Sequence, residues 1–402
     1  AGRWTFTKGG IYKDIMRGKL TLEEVYELIN NTGIEQRAQG VYLPMVLKEA
    51  GYVTGQIGKL EWGFATTGDE IASHGWDYHY GYYDHEMCHG YYPPFMFENG
   101  EIFFIEGNTH IDCGKGVSMN DPDYENKFFD RTGRKVYCQD LFEKIVEFIR
   151  KHRDRPFFLY HPTMLPHGVL SIPEIHPQVK DNNNLTFHEK VYASMVLRLD
   201  ETVGLILDEL DNLGLADNTI VIFSSDNGHN VYYSHKRIEQ MDQEQRQLLR
   251  NIDDITTRLD SKIIGDVFNG NDSMAGYKKS NWEGGVRIPY IVRWPGKIAE
   301  GVRSDQLIAN YDLMATLADL VGLDIGENKD GISFLPCLLG REMEGHDYVV
   351  YGSSMGPALV TKDGFKLRTV INRELYKYGM FGTFWSEMNE NAVIFQLYNI
   401  KE

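Results

Sequence analysis

Two oxygen-bearing side chains follow a strand-like run near the middle of the sequence. Asp226 and Asn227 come directly after the β-branched run 219–223, and Gly228 follows them. A carboxylate beside an amide oxygen offers the hard ligands that Ca²⁺ or Mg²⁺ binds, and glycine lets the chain turn so that both face one point. Asn-Gly is also a common turn signal, so the pair alone predicts either a metal site or a simple turn.

Three further segments carry side chains that could act on an anion. Lys59 and His167 each follow a short apolar run, and Lys278 and Lys279 precede the run Trp282-Glu283-Gly284-Gly285. A lysine can neutralise an anion, and a histidine can donate a proton near neutral pH. Each of these side chains, taken singly, could equally be a solvated surface group.

The elements that must position these residues alternate between helix and strand. Apolar spacing predicts helices and strands in alternation, with Gly51 and Gly214 ending two of the helices: helix 41–50, strand 54–58, helix 138–152, strand 156–160, helix 189–213 and strand 219–223. This order predicts an α/β fold with a largely parallel central sheet and helices on both faces. In such sheets the functional residues gather beyond the carboxyl ends of the strands.

Two other regions differ from this alternation. The polar stretch 232–270 is typical of a solvent-facing helical insertion, and the short strands beyond residue 345 predict a small antiparallel α+β subdomain. We therefore predict an α/β domain over residues 1–340 and a C-terminal subdomain over residues 341–402.

Composition excludes several classes of protein. The 402 residues include 41 Lys+Arg and 58 Asp+Glu, a net charge of −17, which argues against a nucleic-acid partner. No apolar run approaches the roughly 18 residues that a membrane span needs. The four cysteines match no zinc pattern. We expect buried thiols, with one disulfide, such as Cys88 with Cys113, as the alternative in an oxidising compartment.

The order of the segments resembles the sulfatase family of the alkaline-phosphatase-like superfamily. The resemblance extends from Leu43 to Tyr398 and rests on these runs: 49–52 with Gly58-Lys59, 200–204, 213–223, Ser225-Asp226-Asn227-Gly228, 282–289, 293–296, 311–317 and Gln396-Leu397-Tyr398-Asn399. The aromatic segments 76–82 and 89–94 resemble those of sulfatases that act on carbohydrates.

The resemblance implies a role for each matching residue. Asp226 and Asn227 match two ligands of a divalent ion, Ca²⁺ or Mg²⁺. Lys59 and Lys278 match lysines on the sulfate group, and His167 matches the histidine beside the bridging oxygen of the ester. Three more positions carry roles in this interpretation: Glu61, which stands where the family usually has histidine, is an acid–base candidate, and His85 and His89 are candidates for substrate binding.

The nucleophile motif of the family has no counterpart among these residues. That motif is Cys/Ser-x-Pro-x-Arg, whose first residue becomes formylglycine, and none of the four cysteines lies in such a motif. The resemblance implies that the chain is part of a longer sulfatase, with the formylglycine and two paired aspartates upstream and with a shortened C-terminal subdomain.

The resulting functional prediction is a sulfatase-like hydrolase that acts on a sulfated small molecule or glycan, most specifically a sulfated carbohydrate. Two alternatives remain open: a non-catalytic binder of anionic glycans, and a phosphoester or phosphonoester hydrolase of the same superfamily. No nucleic-acid or membrane partner is expected, and the oligomeric state is not indicated. If the chain follows typical bacterial members, its location is periplasmic or secreted.

Overall fold

The computed structural model divides the chain into two compact units. It describes these residues: 19–21, 23–24, 27, 40–59, 68–82, 87–115, 117, 121–234, 242–244, 265–325, 330–353, 356–371 and 393–400. The first unit comprises Ala1–Thr219 and Leu317–Lys329, and the second comprises Ile220–Thr316 and Asp330–Glu402. The sequence predicts a single domain boundary at residue 340, whereas each of these units combines two stretches of the chain. The boundary at 340 stays a prediction.

The first unit contains a five-stranded sheet in the order β4-β3-β2-β1-β5. Its strands are β1 (Val53–Lys59), β2 (Tyr78–Tyr82), β3 (Phe95–Glu98), β4 (Glu101–Phe104) and β5 (Phe157–Tyr160). β1 pairs in parallel with both β2 and β5, whereas β3 is antiparallel to β2 and to β4. The predicted α/β class is confirmed, with the difference that the sheet is mixed. β3 runs antiparallel to β2, and Asn99-Gly100, both at positive φ, forms the tight hairpin that makes β4 antiparallel to β3.

The helices of the first unit follow the predicted alternation. They are α1 (Leu43–Glu49), α2 (Gly68–Ser73), α3 (Tyr124–Phe128), α4 (Lys144–His152), α5 (Pro177–Lys180) and α6 (Phe187–Asn212). The predicted helix 138–152 begins as a 3₁₀ turn, Cys138–Glu143. α6 begins at a capping box between Thr186 and Glu189, and Gly214, at φ +67°, follows its end.

Helix α4 packs closely on the centre of the sheet. Its buried residues Ile145, Phe148 and Ile149 share one face at helical spacing. A Cβ at Gly55 of β1 would lie 2.5 Å from the Phe148 ring, so only glycine allows the helix to approach this strand so closely. The strand that ends at Lys59 is thereby held against a helix.

The second unit contains two antiparallel sheets. One pairs β6 (Val221–Ser224) with β7 (Tyr290–Arg293). The other has the order β11-β10-β9-β8, from β8 (Tyr348–Ser353), β9 (Gly356–Thr361), β10 (Phe365–Ile371) and β11 (Val393–Asn399). The antiparallel C-terminal sheet predicted from the sequence is confirmed. Two more described helices, α7 (Glu283–Val286) and α9 (Leu335–Leu338), belong to this unit, and α8 (Asp312–Val321) begins in it and continues into the residues of the first unit from Leu317.

Three other predictions concern the cysteines, the polar stretch and the membrane. None of the four cysteines forms a disulfide, and Cys88, Cys113 and Cys138 are buried, as the thiol prediction states. The insertion predicted over 232–270 lies largely outside the described residues. Among the helices that the structure describes, none combines the length and the apolar character that crossing a bilayer requires.

Candidate active site

Lys59 lies at the carboxyl end of β1 in the first unit. Because β1 and β5 are parallel neighbours, the segment that follows β5 begins at the same edge of the sheet. The Lys59 amide donates to the carbonyl oxygen of Pro162 at 2.9 Å. Gly58, at φ +140°, makes this approach possible, since a Cβ there would lie 2.4 Å from that oxygen. The structure therefore places Lys59 beside the segment that carries His167.

His167 is held by its main chain and by a stacked ring. Its amide donates to the carbonyl of Met164 at 2.8 Å, and the Tyr91 hydroxyl donates to the His167 carbonyl at 2.6 Å. The imidazoles of His89 and His167 stack with centroids 4.1 Å apart and planes inclined by 4°. Two residues singled out from the sequence, one as a proton donor and one as a substrate contact, are thus in direct contact.

Two other histidines in or directly after the strands of this sheet, His79 and His161, are held in neutral form. The Nδ1–H of His161 donates to the carbonyl oxygen of Ile57 at 2.6 Å, because a carbonyl only accepts. Burial lowers the pKa of His161 to about 4 and that of His79 to about 3. Neither group is an imidazolium at neutral pH, so neither is a candidate for the proton donor.

Asp226 and Asn227 lie directly beyond β6 in the second unit. The Asp226 side chain is exposed, and its carboxylate has no hydrogen bond or ion pair with any residue that the structure describes. The Asn227 amide nitrogen donates to the carbonyl of Gly228 at 2.9 Å, which leaves the amide oxygen as an acceptor. These two hard oxygens fit Ca²⁺ or Mg²⁺. Within the described part of the chain, no group of three or more His, Cys, Asp or Glu side chains could complete a metal site.

Lys278 lies on a loop that is bonded to this turn. Its amide donates to the carbonyl of His229 at 2.9 Å, and the amide of Gly228 donates to the carbonyl of Gly285 at 3.0 Å. A Cβ at position 228 would lie 2.1 Å from the carbonyl oxygen of Gly284. Within the second unit, the main chain of the predicted lysine is thus bonded to the segment that follows the predicted oxygen pair.

The side chain of His229 belongs to a buried network. Its Nε2 lies 3.1 Å from the Tyr233 hydroxyl, which donates to Asp266 Oδ1 at 2.7 Å. Asp266 also accepts from the amides of Phe268 and Gly270 at 3.1 and 2.9 Å. Burial lowers the pKa of His229, and the nearby Asp266 carboxylate opposes that shift. The network fixes the residue whose carbonyl binds the Lys278 amide.

Comparison with known families identifies the chain. The Sulfatase family model matches residues 21–323, and a second model, N-sulphoglucosamine sulphohydrolase, C-terminal, matches residues 276–377. The chain belongs to the sulfatase family. The first match includes Lys59, His167 and Lys278 together with the oxygen pair, so the resemblance predicted from the sequence is confirmed.

Individual sulfatases and their structures are similar to this chain at low identity. An N-acetylgalactosamine-6-O-sulfatase of Bacteroides thetaiotaomicron is 27% identical over 375 residues, and the match covers 80% of this chain and 64% of that protein. The chain therefore spans less than two thirds of this relative's length. A structure from work on glycosaminoglycan metabolism by Bacteroides thetaiotaomicron superposes with a TM-score of 0.59 at 23% identity, covering 91% of this chain and 80% of the other.

A further solved structure was determined in complex with its substrate, D-glucosamine-2-N,6-O-disulfate. It has a TM-score of 0.53 and 17% identity to this chain, and covers 93% of this chain and 79% of the other. At these identities the solved structures establish the fold, which is that of alkaline-phosphatase-like proteins with a mixed sheet and a C-terminal antiparallel sheet.

Two of the residues predicted for the sulfatase site cannot be located. Glu61 and His85 lie outside the described residues, and their roles stay predictions. The metal roles of Asp226 and Asn227 and the sulfate-binding roles of the two lysines are likewise predictions that the geometry leaves untested.

Sequence reasoning missed the buried contacts that hold the Lys278 loop. Glu283 forms an ion pair with Lys366 of β10, with 2.5 Å between Oε1 and Nζ. Asn281 accepts from Arg368 Nε at 2.9 Å, and the Arg368 guanidinium lies 3.9 Å above the Trp282 ring. No local sequence signal identifies these partners, because the pairs lie 83 and 87 positions apart.

Proposed function

We propose that this chain is part of a carbohydrate sulfatase and carries residues that bind the sulfate group and donate a proton to the leaving oxygen. The main-chain bond between Lys278 and His229 carries the proposal, because it joins the segment of Lys278 to the turn that carries Asp226 and Asn227. The family membership, the relative named N-acetylgalactosamine-6-O-sulfatase and the aromatic residues around His89 support a sulfated sugar as the substrate.

Lys59 and Lys278 would bind the oxygens of the sulfate group. Sulfate-ester cleavage spreads negative charge over these oxygens and over the leaving oxygen, so fixed cations stabilise the transition state more than the ground state. His167 would donate a proton to the leaving oxygen. Stacking on His89 holds the His167 ring in one plane, which restricts the direction of that proton transfer.

Two groups outside this structure complete the proposal. Asp226 and Asn227 would hold a divalent ion, Ca²⁺ or Mg²⁺, which supplies positive charge at the sulfate oxygens. A formylglycine, which none of the four cysteines can supply because none lies in the required motif, would provide the nucleophile. A periplasmic or secreted location fits this proposal.

A matched pair of lysine variants tests the function. Lys278→Gln and Lys279→Gln each remove one positive charge from the same loop. In the full gene product we expect Lys278→Gln to lower kcat/KM for N-acetylgalactosamine 6-sulfate about 100-fold or more, the magnitude typical for loss of one charge-stabilising donor. Lys279→Gln should keep kcat/KM within about threefold, the small effect expected of a lysine that does not contact the reacting group.

The same assay separates the alternatives. Hydrolysis of an aryl phosphate at a higher kcat/KM than the matching aryl sulfate would favour a phosphoester hydrolase. Binding of the sulfated sugar without hydrolysis would favour a non-catalytic glycan binder. Equal losses in Lys278→Gln and Lys279→Gln would contradict the role proposed for Lys278.

A further inference from the structure

A cationic cavity lies in the first unit, apart from the residues assigned so far. It encloses about 350 Å³ of atom-free space, including its open mouth, and three basic side chains line it: Lys115, Arg131 and Arg134. None of its described lining residues is acidic. The cavity thus gathers positive charge in a protein whose net charge is −17. Low-dielectric walls concentrate such a positive field.

Arg131 is fixed in place without an anionic partner. Its guanidinium donates to the carbonyl oxygens of Phe128, Ile172 and Pro173 at 3.2, 3.0 and 2.6 Å. It also lies 5.2 Å from the centroid of the buried Tyr92 ring. Carbonyls and an aromatic face position a guanidinium but leave its full charge, and no described carboxylate lies within ion-pairing distance.

Arg134 reaches the cavity from the same turn. Its amide donates to the carbonyl of Arg131 at 3.0 Å, and Gly133, at φ +66°, allows the turn between them. The Arg134 Nε is buried and has no hydrogen-bond partner among the residues that the structure describes. The pKa of Asp130 is lowered, first by hydrogen bonds from Thr132 and to a lesser extent by the charge of Arg134. Asp130 and Arg134 nevertheless form no ion pair among the described contacts. A buried donor without an acceptor is costly unless a ligand supplies one.

The cavity adjoins the segment that carries His167. Tyr91 lines the cavity, and its hydroxyl donates to the carbonyls of His167 and Met164 at 2.6 and 3.0 Å. Val169, Leu170 and Ser171, which follow His167 in the chain, also line it. A ligand in the cavity would therefore lie one tyrosine side chain away from the proposed proton donor.

We propose that this cavity binds an oxyanion, a carboxylate or a sulfate ester, on a second sugar unit of the glycan substrate. The inference rests on the proposed function and extends it, since it names a polyanionic oligosaccharide rather than a monosaccharide sulfate as the substrate class. Guanidinium groups suit such oxyanions because their paired N–H donors match two oxygens at once.

Binding measurements test this proposal without turnover. The probes are a chondroitin 6-sulfate tetrasaccharide, N-acetylgalactosamine 6-sulfate and sodium sulfate, titrated calorimetrically at one ionic strength. The double variant Lys115→Gln/Arg134→Gln should weaken tetrasaccharide binding about tenfold or more, since hydrogen bonds to charged groups contribute about 1.5–3 kcal/mol each. Monosaccharide affinity should stay within about twofold, because the smaller ligand does not reach the cavity. The control Lys151→Gln/Arg153→Gln removes the same charge from exposed positions around the end of α4.

Three outcomes would overturn the proposal. The first is equal weakening of tetrasaccharide binding in the cavity and control variants. The second is failure of the parent chain to bind the tetrasaccharide. The third is a cavity variant that loses sodium sulfate binding but retains tetrasaccharide binding. Failure of the proposed function is separate, because it would appear as absent hydrolysis of N-acetylgalactosamine 6-sulfate, which these titrations do not measure.

Discussion

The Nζ atom of Lys366 lies 2.5 Å from Oε1 of Glu283, and the Lys366 side chain is fully buried. Burial lowers the pKa of Lys366, and the Glu283 carboxylate opposes that shift. Removing one member of a buried pair leaves an uncompensated charge, which costs more than the pair itself contributes. We expect Glu283→Gln to lower the free energy of unfolding by about 3 kcal/mol or more, measured by urea denaturation at pH 7.

The double variant Glu283→Gln/Lys366→Met is the control for this prediction. It removes both charges and retains an unbranched apolar stem, so it should be more stable than Glu283→Gln alone. A double variant less stable than the single one would contradict the view that the unpaired lysine causes the loss.

Gly228 is the position where the turn after β6 meets the Lys278 loop. A methyl group there would lie 2.1 Å from the Gly284 carbonyl oxygen, and backbone on both sides leaves it nowhere to move. Gly228→Ala should therefore destabilise the protein by about 1–3 kcal/mol. Gly204→Ala is the matched control, because a Cβ at this position in α6 meets nothing within 4 Å and alanine stabilises a helix by about 1 kcal/mol over glycine. Thermal unfolding of the two variants should shift in opposite directions.

His161 should make the protein less stable in mild acid. The pKa of its imidazole falls from 6.5 to about 4 on burial, so between these values the unfolded chain binds more protons than the folded one. The stabilisation from the neutral His161 is fully present above pH 6.5 and is lost as the pH falls toward 4. At pH 5 the loss amounts to about 2 kcal/mol. His161→Gln retains a donor for the Ile57 carbonyl but cannot titrate. Its unfolding free energy should fall less between pH 7 and pH 5 than that of the parent, and equal falls would exclude this role for His161.

Calcium binding can be tested without a substrate. Asp226 offers an exposed carboxylate beside Asn227, and a ligand that binds only the folded state raises its stability, by about 2.7 kcal/mol at 100 times Kd. After treatment with EDTA, added Ca²⁺ should raise the Tm of the parent and of Asp208→Asn, which removes an exposed carboxylate from α6. Asp226→Asn should show a much smaller rise. A calcium response that is the same in all three proteins would place the ion elsewhere.

Local patterns in the sequence predicted most elements of this fold to within a few residues. The strand expected over 219–223 is observed as β6 at Val221–Ser224, and the helix expected over 189–213 is α6 at Phe187–Asn212. Both have strong local causes, namely β-branched residues in the strand and a capping box with a terminal glycine around the helix. The mixed sheet order was not predictable in the same way, because strand pairing depends on contacts between distant segments.

Strand β10 shows what alternation alone cannot decide. Its sequence Phe365-Lys366-Leu367-Arg368 suggests that the apolar residues point inward. In the structure Lys366 and Arg368 are 0% and 1% exposed, whereas Phe365 and Leu367 are 48% and 38% exposed. A period of two defines two faces of a strand but not which face is buried. The buried face of β10 is the one that carries Lys366 and Arg368, because Glu283 neutralises Lys366 and Asn281 accepts a hydrogen bond from Arg368.

The long separation in sequence between Glu283 and Lys366 also limits when the Lys278 loop can become ordered during synthesis. Domains fold during synthesis from the N-terminal side, and Lys278 emerges from the ribosome together with Asn281 and Glu283. Their partners on β10 are translated 83 to 87 residues later. The nascent chain must therefore extend through Arg368 before the segment that carries Lys278 gains these contacts, so a ribosome stalled earlier would carry that segment without its partners on β10.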